Sequence, residues 1–298
     1  MKLLYAAFLT CLFLSSAVAI DRGVVVSAYQ GRCEDGNFDA NLATARQAVK
    51  EALARGSDFL ALPETFLSGY SSREEMRRGA RRLDDPQVRA FIAESAQHHM
   101  VVIAGLARIT DEGIYNTALV IYRGRLLGTY DKIMLTKGDR DRLGFLGGKE
   151  MPVFEANGAR FAVIICADSS FLYPAMIAKL KGAEILFSPH YNAEPPNVMD
   201  AHRRWVRNCH IGLACHLRMV VARANVVVED KQGLGYGDSF IINPRGDMLA
   251  EAELFRTEMI TAKVGPELFK LPYGRSLKDV PANIRATLAD LLMKDPQN

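Results

Sequence analysis

Apolar runs of strand length alternate with amphipathic stretches of helical length along this chain, the pattern of an α/β fold. The valine-rich run 23–29 reads as a first strand. A helix over 41–55 places Leu42, Ala45, Val49, Ala52 and Leu53 on one face, and Gly56 stops it. Strand 58–62 follows, then a helix over 85–98 with Val88, Phe91, Ile92 and Ala96 inward, then strand 101–109. Runs 116–122 and 126–130 flank Arg123-Gly124-Arg125 as a hairpin, and residues 137–148 form a polar, glycine-containing loop. Strand 161–166, a helix ending near Gly182, strand 184–188, helix 200–217 and strand 219–225 come next. Asn243-Pro-Arg-Gly-Asp247 turns a second hairpin, and a helix over 282–294 closes the chain. Hairpins mixed with βα units predict a mixed sheet system with helices outside it, built as one domain over 20–298.

The first residues follow a different rule. Lys2 precedes an apolar run over 3–14, and Ala17-Val18-Ala19 ends it. This pattern predicts a signal peptide over 1–19, cleaved after Ala19, and an exported protein with no membrane span after cleavage; an uncleaved membrane anchor is the alternative. Cys33, Cys166, Cys209 and Cys215 then remain, an even number that permits disulfides in an oxidising compartment. Cys209 and Cys215 sit on one predicted helix and face different ways, since six residues turn it by about 600°. They read as core thiols, and His210 and His216 as capping or surface side chains. Neither their spacing nor His98, His99, His190 and His202 makes a metal or haem pattern. The net charge of +3 is interspersed, and the dense stretch 73–82 reads as a solvated helix face. No nucleic-acid surface, metal or organic cofactor is expected.

Three reactive side chains stand just beyond apolar runs. Cys166 ends Phe161-Ala-Val-Ile-Ile-Cys166, Glu64 follows Asp58-Phe-Leu-Ala-Leu-Pro63, and Lys132 follows Leu126-Leu-Gly-Thr-Tyr-Asp131. Each alone has an ordinary explanation: a buried thiol, a helix-start carboxylate, a surface lysine. Strand ends are where side chains from separate segments converge. Together the three supply a nucleophile, a base and a stabiliser for an anionic intermediate.

The segments Asp58 to Glu64, Tyr130-Asp-Lys132-Ile-Met-Leu135 and Phe161 to Asp168 resemble the nitrilase superfamily of carbon–nitrogen hydrolases. So do Gly182-Ala-Glu-Ile-Leu186, Ala222-Arg-Ala-Asn225 and Gly237-Asp-Ser239 through Gly246. The resemblance implies an α-β-β-α four-layer sandwich that associates as a homo-oligomer. It implies Cys166 as nucleophile, Glu64 as general base, Lys132 as oxyanion stabiliser and the Ala167 N–H as a second oxyanion donor. Many members carry a second glutamate after the lysine. Here that stretch offers Asp139 and Asp141. Cys-x-Asp resembles the amidase and carbamoylase branches more than nitrilases with Cys-Trp-Glu, so a small or medium linear amide is the expected substrate. His190, Tyr191 and Asn192 are candidates for a substrate wall. Acyl transfer from the same thioester, and a non-catalytic amide binder, are the alternatives.

Overall fold

The computed structural model describes residues 23–230, 233–270 and 280–293. The expected signal peptide lies outside them. Two sheets stand face to face. In the first, strands run in the order β16 (Glu258–Val264), β1 (Val24–Gln30), β2 (Phe59–Ala61), β3 (Val101–Ile109), β4 (Ile114–Tyr122), β5 (Arg125–Asp131), with β6 (Phe145–Leu146) on β4. The second has β15 (Met248–Glu251), β14 (Phe240–Ile242), β11 (Val220–Ala224), β9 (Ile185–Pro189), β8 (Ala159–Val163) and β7 (Phe154–Ala156). The short strands β10 (Ala193–Glu194), β12 (Glu229–Asp230) and β13 (Gly233–Gly235) form a separate ribbon.

Side-chain alternation explains why both faces are buried. Val101 and Ile103 of β3 join the core between the sheets, with Phe59, Phe161 and Phe187. Val102 and Ala104 point the other way, into a core with Leu42, Ala45, Val88 and Phe91. Phe59 meets Phe161 across the sheets edge to face, with centroids 5.2 Å apart. Helices α1 (Phe38–Ala54), α2 (Arg73–Gly79) and α3 (Pro86–Glu94) cover the first sheet. Helices α4 (Leu172–Leu180) and α5 (Pro196–Leu217) cover the second through Ala175, Ala178, Leu213, Ala214 and Leu217. The four layers are those expected. A last helix, α6 (Ala282–Met293), follows.

Local departures have local causes. Helix α1 begins at Phe38 because the Asn37 side chain accepts from Ala40 N at 3.3 Å and Phe38 is buried. Its inner face uses Ala48, while Leu53, expected inward, is exposed. Helix α3 tightens into a 3-10 turn over Ser95–Gln97, which swings Ala96 outward and Ser95 inward. Ser95 Oγ then donates to Ile92 O and accepts from Gly124 N, tying the turn to the β4–β5 hairpin. No disulfide joins the four described cysteines, and Cys215 is exposed rather than in the core. No described helix is long and apolar enough to cross a membrane.

Gly105 of β3 brings the sheet close to the turn that carries Glu64. A Cβ there would stand 2.3 Å from Thr65 N and 2.4 Å from Pro63 O. Both are backbone atoms that cannot swing aside. Gly105→Ala is expected to cost about 3 kcal/mol in urea unfolding and to reduce turnover by displacing the Glu64 turn.

Candidate active site

Glu64, Lys132 and Cys166 converge beyond the ends of β2, β5 and β8. Strand β8 stops at Val163, earlier than the apolar run suggests, although Ile164 and Ile165 remain buried. The ladder ends because Asp168 reaches back and its Oδ2 accepts from Ile165 N at 2.8 Å. Cys166 then takes a left-handed backbone, φ 47°, and opens a 3-10 turn over Cys166–Ser170. A non-glycine residue held there costs roughly 1–2 kcal/mol. The surroundings hold it: Asp168 Oδ2 accepts from Tyr130 OH at 2.7 Å, its Oδ1 accepts from Met134 N at 2.7 Å, and Ser169 Oγ donates to Cys166 O at 2.7 Å. The turn leaves Cys166 and Ala167 partly exposed, with the Ala167 N–H in its first half.

Glu64 and Lys132 are fully buried. Lys132 Nζ lies 2.8 Å from Glu64 Oε1 and 2.9 Å from Asp139 Oδ2. Glu64 Oε1 also accepts from Asn116 Nδ2 at 2.7 Å, and its Oε2 accepts from Tyr191 N at 2.7 Å. Asp139 accepts from Tyr70 OH at 2.8 Å, Thr136 N at 2.8 Å and Thr136 Oγ1 at 2.9 Å. The site is thus one ammonium between two carboxylates, every partner fixed by hydrogen bonds.

Asp139, not Asp141, is the second acid beside the lysine. The stretch expected to be a loop winds a wide π-type turn over Gly138–Leu143, ended by Gly144 at φ 78°. That turn directs Asp139 inward despite its short side chain. Asp141 is exposed on the far side, its carbonyl accepting from Arg73 Nη2 at 3.0 Å. The structure therefore removes Asp141 from the site.

The electrostatics divide the two carboxylates. Burial raises the Glu64 pKa and the Asp139 charge adds to it, against the pull of Lys132. Burial also opposes ionisation of Asp139. There, Lys132 and the Thr136 and Tyr70 donors prevail and lower its pKa. Burial disfavours the charged Lys132, but Glu64, Cys166, Tyr70 and Asp139 outweigh it and hold the ammonium protonated. Burial pushes the Cys166 thiol up, and Glu64 pushes the same way while Lys132 opposes. The thiol therefore keeps its proton at rest.

The segment 190–192 divides its tasks differently from a simple wall. Asn192 Nδ2 points at Cys166 Sγ, 3.5 Å away. Tyr191 serves Glu64 through its backbone, while its ring packs on Tyr70 with centroids 5.1 Å apart. The His190 side chain faces away into a buried cluster. His190 Nε2 lies 3.0 Å from Ser188 Oγ and 3.3 Å from His210 Nε2. His210, expected at the surface or as a cap, is fully buried, its Nδ1 2.8 Å from Val206 O. Burial and the nearby Arg223 lower the His210 pKa to about 3, so the ring is neutral. Asn116, Tyr70 and Thr136 escaped the sequence reading. The one signal for Asn116 was a polar pair, Asn116-Thr117, inside an otherwise apolar strand. No group of three or more His, Cys, Asp or Glu side chains that could hold a metal occurs among the described residues.

The family model for carbon–nitrogen hydrolases matches residues 25–271. The chain is 29% identical to N-carbamoylputrescine amidase of Arabidopsis thaliana, over 84% of this chain and 89% of that one. It is 27% identical to the glutamine-dependent NAD(+) synthetase of Thermotoga maritima over 86% of this chain, but spans 42% of that relative's length. Among solved structures, Nit3 of Saccharomyces cerevisiae superposes with a TM-score of 0.76 at 20% identity, over 88% of this chain and 99% of that one. The amidase from Nesterenkonia sp. AN1 superposes with a TM-score of 0.70 at 18% identity, over 89% and 99%. These two likenesses concern the fold.

Proposed function

Because this chain belongs to the carbon–nitrogen hydrolase family, in the nitrilase superfamily, we infer that it acts as an amidase-like enzyme of it. From that premise we propose that it hydrolyses a small linear amide through a thioester on Cys166. The observation that carries this reading is the placement of one fully buried lysine between Glu64 and Asp139, beside a partly exposed cysteine on a left-handed turn. The Cys166 proton passes to Glu64 as sulfur bonds the carbonyl carbon. Lys132 and the Ala167 N–H stabilise the oxygen that becomes negative. Glu64 then gives the proton to the departing nitrogen, and ammonia or an amine leaves. Water, losing a proton to Glu64, attacks the thioester, and Cys166 recovers its proton as the acid is released. Amide-hydrolysing relatives such as N-carbamoylputrescine amidase and the omega-amidase YafV of Escherichia coli support the amide class.

Asp139 gains a role in this scheme. Ionised against Lys132, it balances the ammonium, and its charge adds to the burial that raises the Glu64 pKa. Because the Glu64 pKa is raised, the acid limb of kcat/KM should lie above the ordinary carboxylate range near 4.3. Asp139→Asn removes a charge that raises Glu64, so the limb should move to lower pH. Rates of ammonia release from a panel of primary amides across pH 4 to 9 test both statements. A limb unmoved in Asp139→Asn contradicts the coupling, and a panel with no turnover contradicts the amidase reading.

Export belongs to the same proposal. Lys2, the apolar run that follows and Ala17-Val18-Ala19 support it. Self-association does too, through Leu172, Tyr173, Ile177 and Leu180 of α4, all exposed.

A further inference from the structure

We propose that Asn192 is a further catalytic residue, its side-chain amide donating a hydrogen bond to the Cys166 sulfur as the thiol gives up its proton. The inference rests on the thioester reading above and adds a group to it. An asparagine amide presents either a donor or an acceptor, and its neighbours decide which. Arg223 has donors alone, and its Nη2 stands 2.8 Å from Asn192 Oδ1. His190 Nδ1 stands 2.9 Å from the same oxygen. The oxygen is therefore turned toward Arg223 and His190, which leaves the Nδ2 hydrogens for Cys166 Sγ at 3.5 Å.

The support behind this amide is as firm as that behind Lys132. Arg223 is fully buried, its Nη1 donating to Gly237 O at 2.9 Å and to Asp238 O. The Asn192 backbone N donates to Asn225 Oδ1 at 2.9 Å. Behind His190, the Ser188 hydroxyl lies 3.0 Å from His190 Nε2 and 3.0 Å from His210 Nε2. A guanidinium on the carbonyl end of an amide polarises it and strengthens the N–H at the other end. The sulfur thus faces an ammonium on one side and a cation-backed amide on another. The bond matters while sulfur carries charge: as its proton moves to Glu64 and the carbon–sulfur bond forms, and again when that bond breaks.

The test is the pH dependence of Cys166 alkylation by iodoacetamide, read by peptide mass mapping, together with kcat, in wild type, Asn192→Ala, Asn192→Asp and Cys166→Ala. Asn192→Ala should slow alkylation at pH 7 about tenfold and displace the profile to higher pH, the weight of one hydrogen bond to a charged group. Asn192→Asp keeps the acceptor for Arg223 and His190 but sets an anion against the sulfur, so it should be slower still in both readouts. A merely structural Asn192 would be rescued by that aspartate. A wild-type profile in Asn192→Asp, with Cys166→Ala inactive, overturns the role of Asn192 alone. Turnover surviving in Cys166→Ala overturns the thioester reading and the Asn192 role with it.

Discussion

Replacing Cys166 with alanine should lower kcat by about 10⁵-fold or more while leaving the fold in place. Removal of a catalytic nucleophile in comparable covalent enzymes costs on the order of 10⁶. The loss should be chemical rather than structural. The residue is partly exposed, and the backbone at φ 47° is held by Asp168, Tyr130 and Ser169, not by the thiol. The urea midpoint should therefore shift by no more than about 1 kcal/mol in equivalent stability. Product formation by quantitative ammonia assay, with an unfolding curve on the same preparation, checks both halves. Turnover within tenfold of wild type would remove Cys166 from the mechanism.

Lys132→Met should be the more damaging substitution because it fails twice. It removes the group proposed to meet the oxyanion. It also leaves Glu64 and Asp139, both fully buried, without the cation between them. Breaking a buried ion pair by deleting one partner costs about 3–5 kcal/mol. The pH dependence carries the signature. In wild type, the lowered Asp139 pKa contributes stability that is present above its unfolded value near 3.9 and lost as pH falls through the folded value. Raised Glu64 acts in the opposite sense, favouring the fold below its unfolded value and losing that as pH rises through the folded one. Without Lys132 both carboxylates should behave like Glu64. The variant should thus regain stability on acidification toward pH 4 and lose it toward neutrality. Urea midpoints from pH 4 to 8 test this, and a midpoint in Lys132→Met that falls with acid would contradict the charge balance described here.

How far the sequence alone reaches is clear from particular residues. Glu64, Lys132 and Cys166 were legible because each ends an apolar run, and a strand can end at a sheet edge where such side chains meet. The order and alternation of the elements carried the mixed sheet system with helices outside it, and the family resemblance carried the four layers. The Asp139 position was open, because a π-type turn has no simple periodic signature and both aspartates sit in the same charged stretch. His210 was misplaced because a histidine beside a cysteine on an amphipathic helix looks like surface until Ser188 and His190 arrive from another strand. The roles of Asn116 and Arg223 stayed hidden for the same reason: a polar residue within a strand shows its purpose only when its partners, far away in sequence, are in place.

The most direct measurement of the central claim is acid-quench mass spectrometry of the intact protein during turnover of a primary amide. A thioester predicts a species heavier by the acyl group less one hydrogen, mapped to the Cys166 peptide, formed as ammonia appears and absent in Cys166→Ala. Ammonia release with Cys166 unmodified in every quenched sample, or an adduct on another residue, would contradict it.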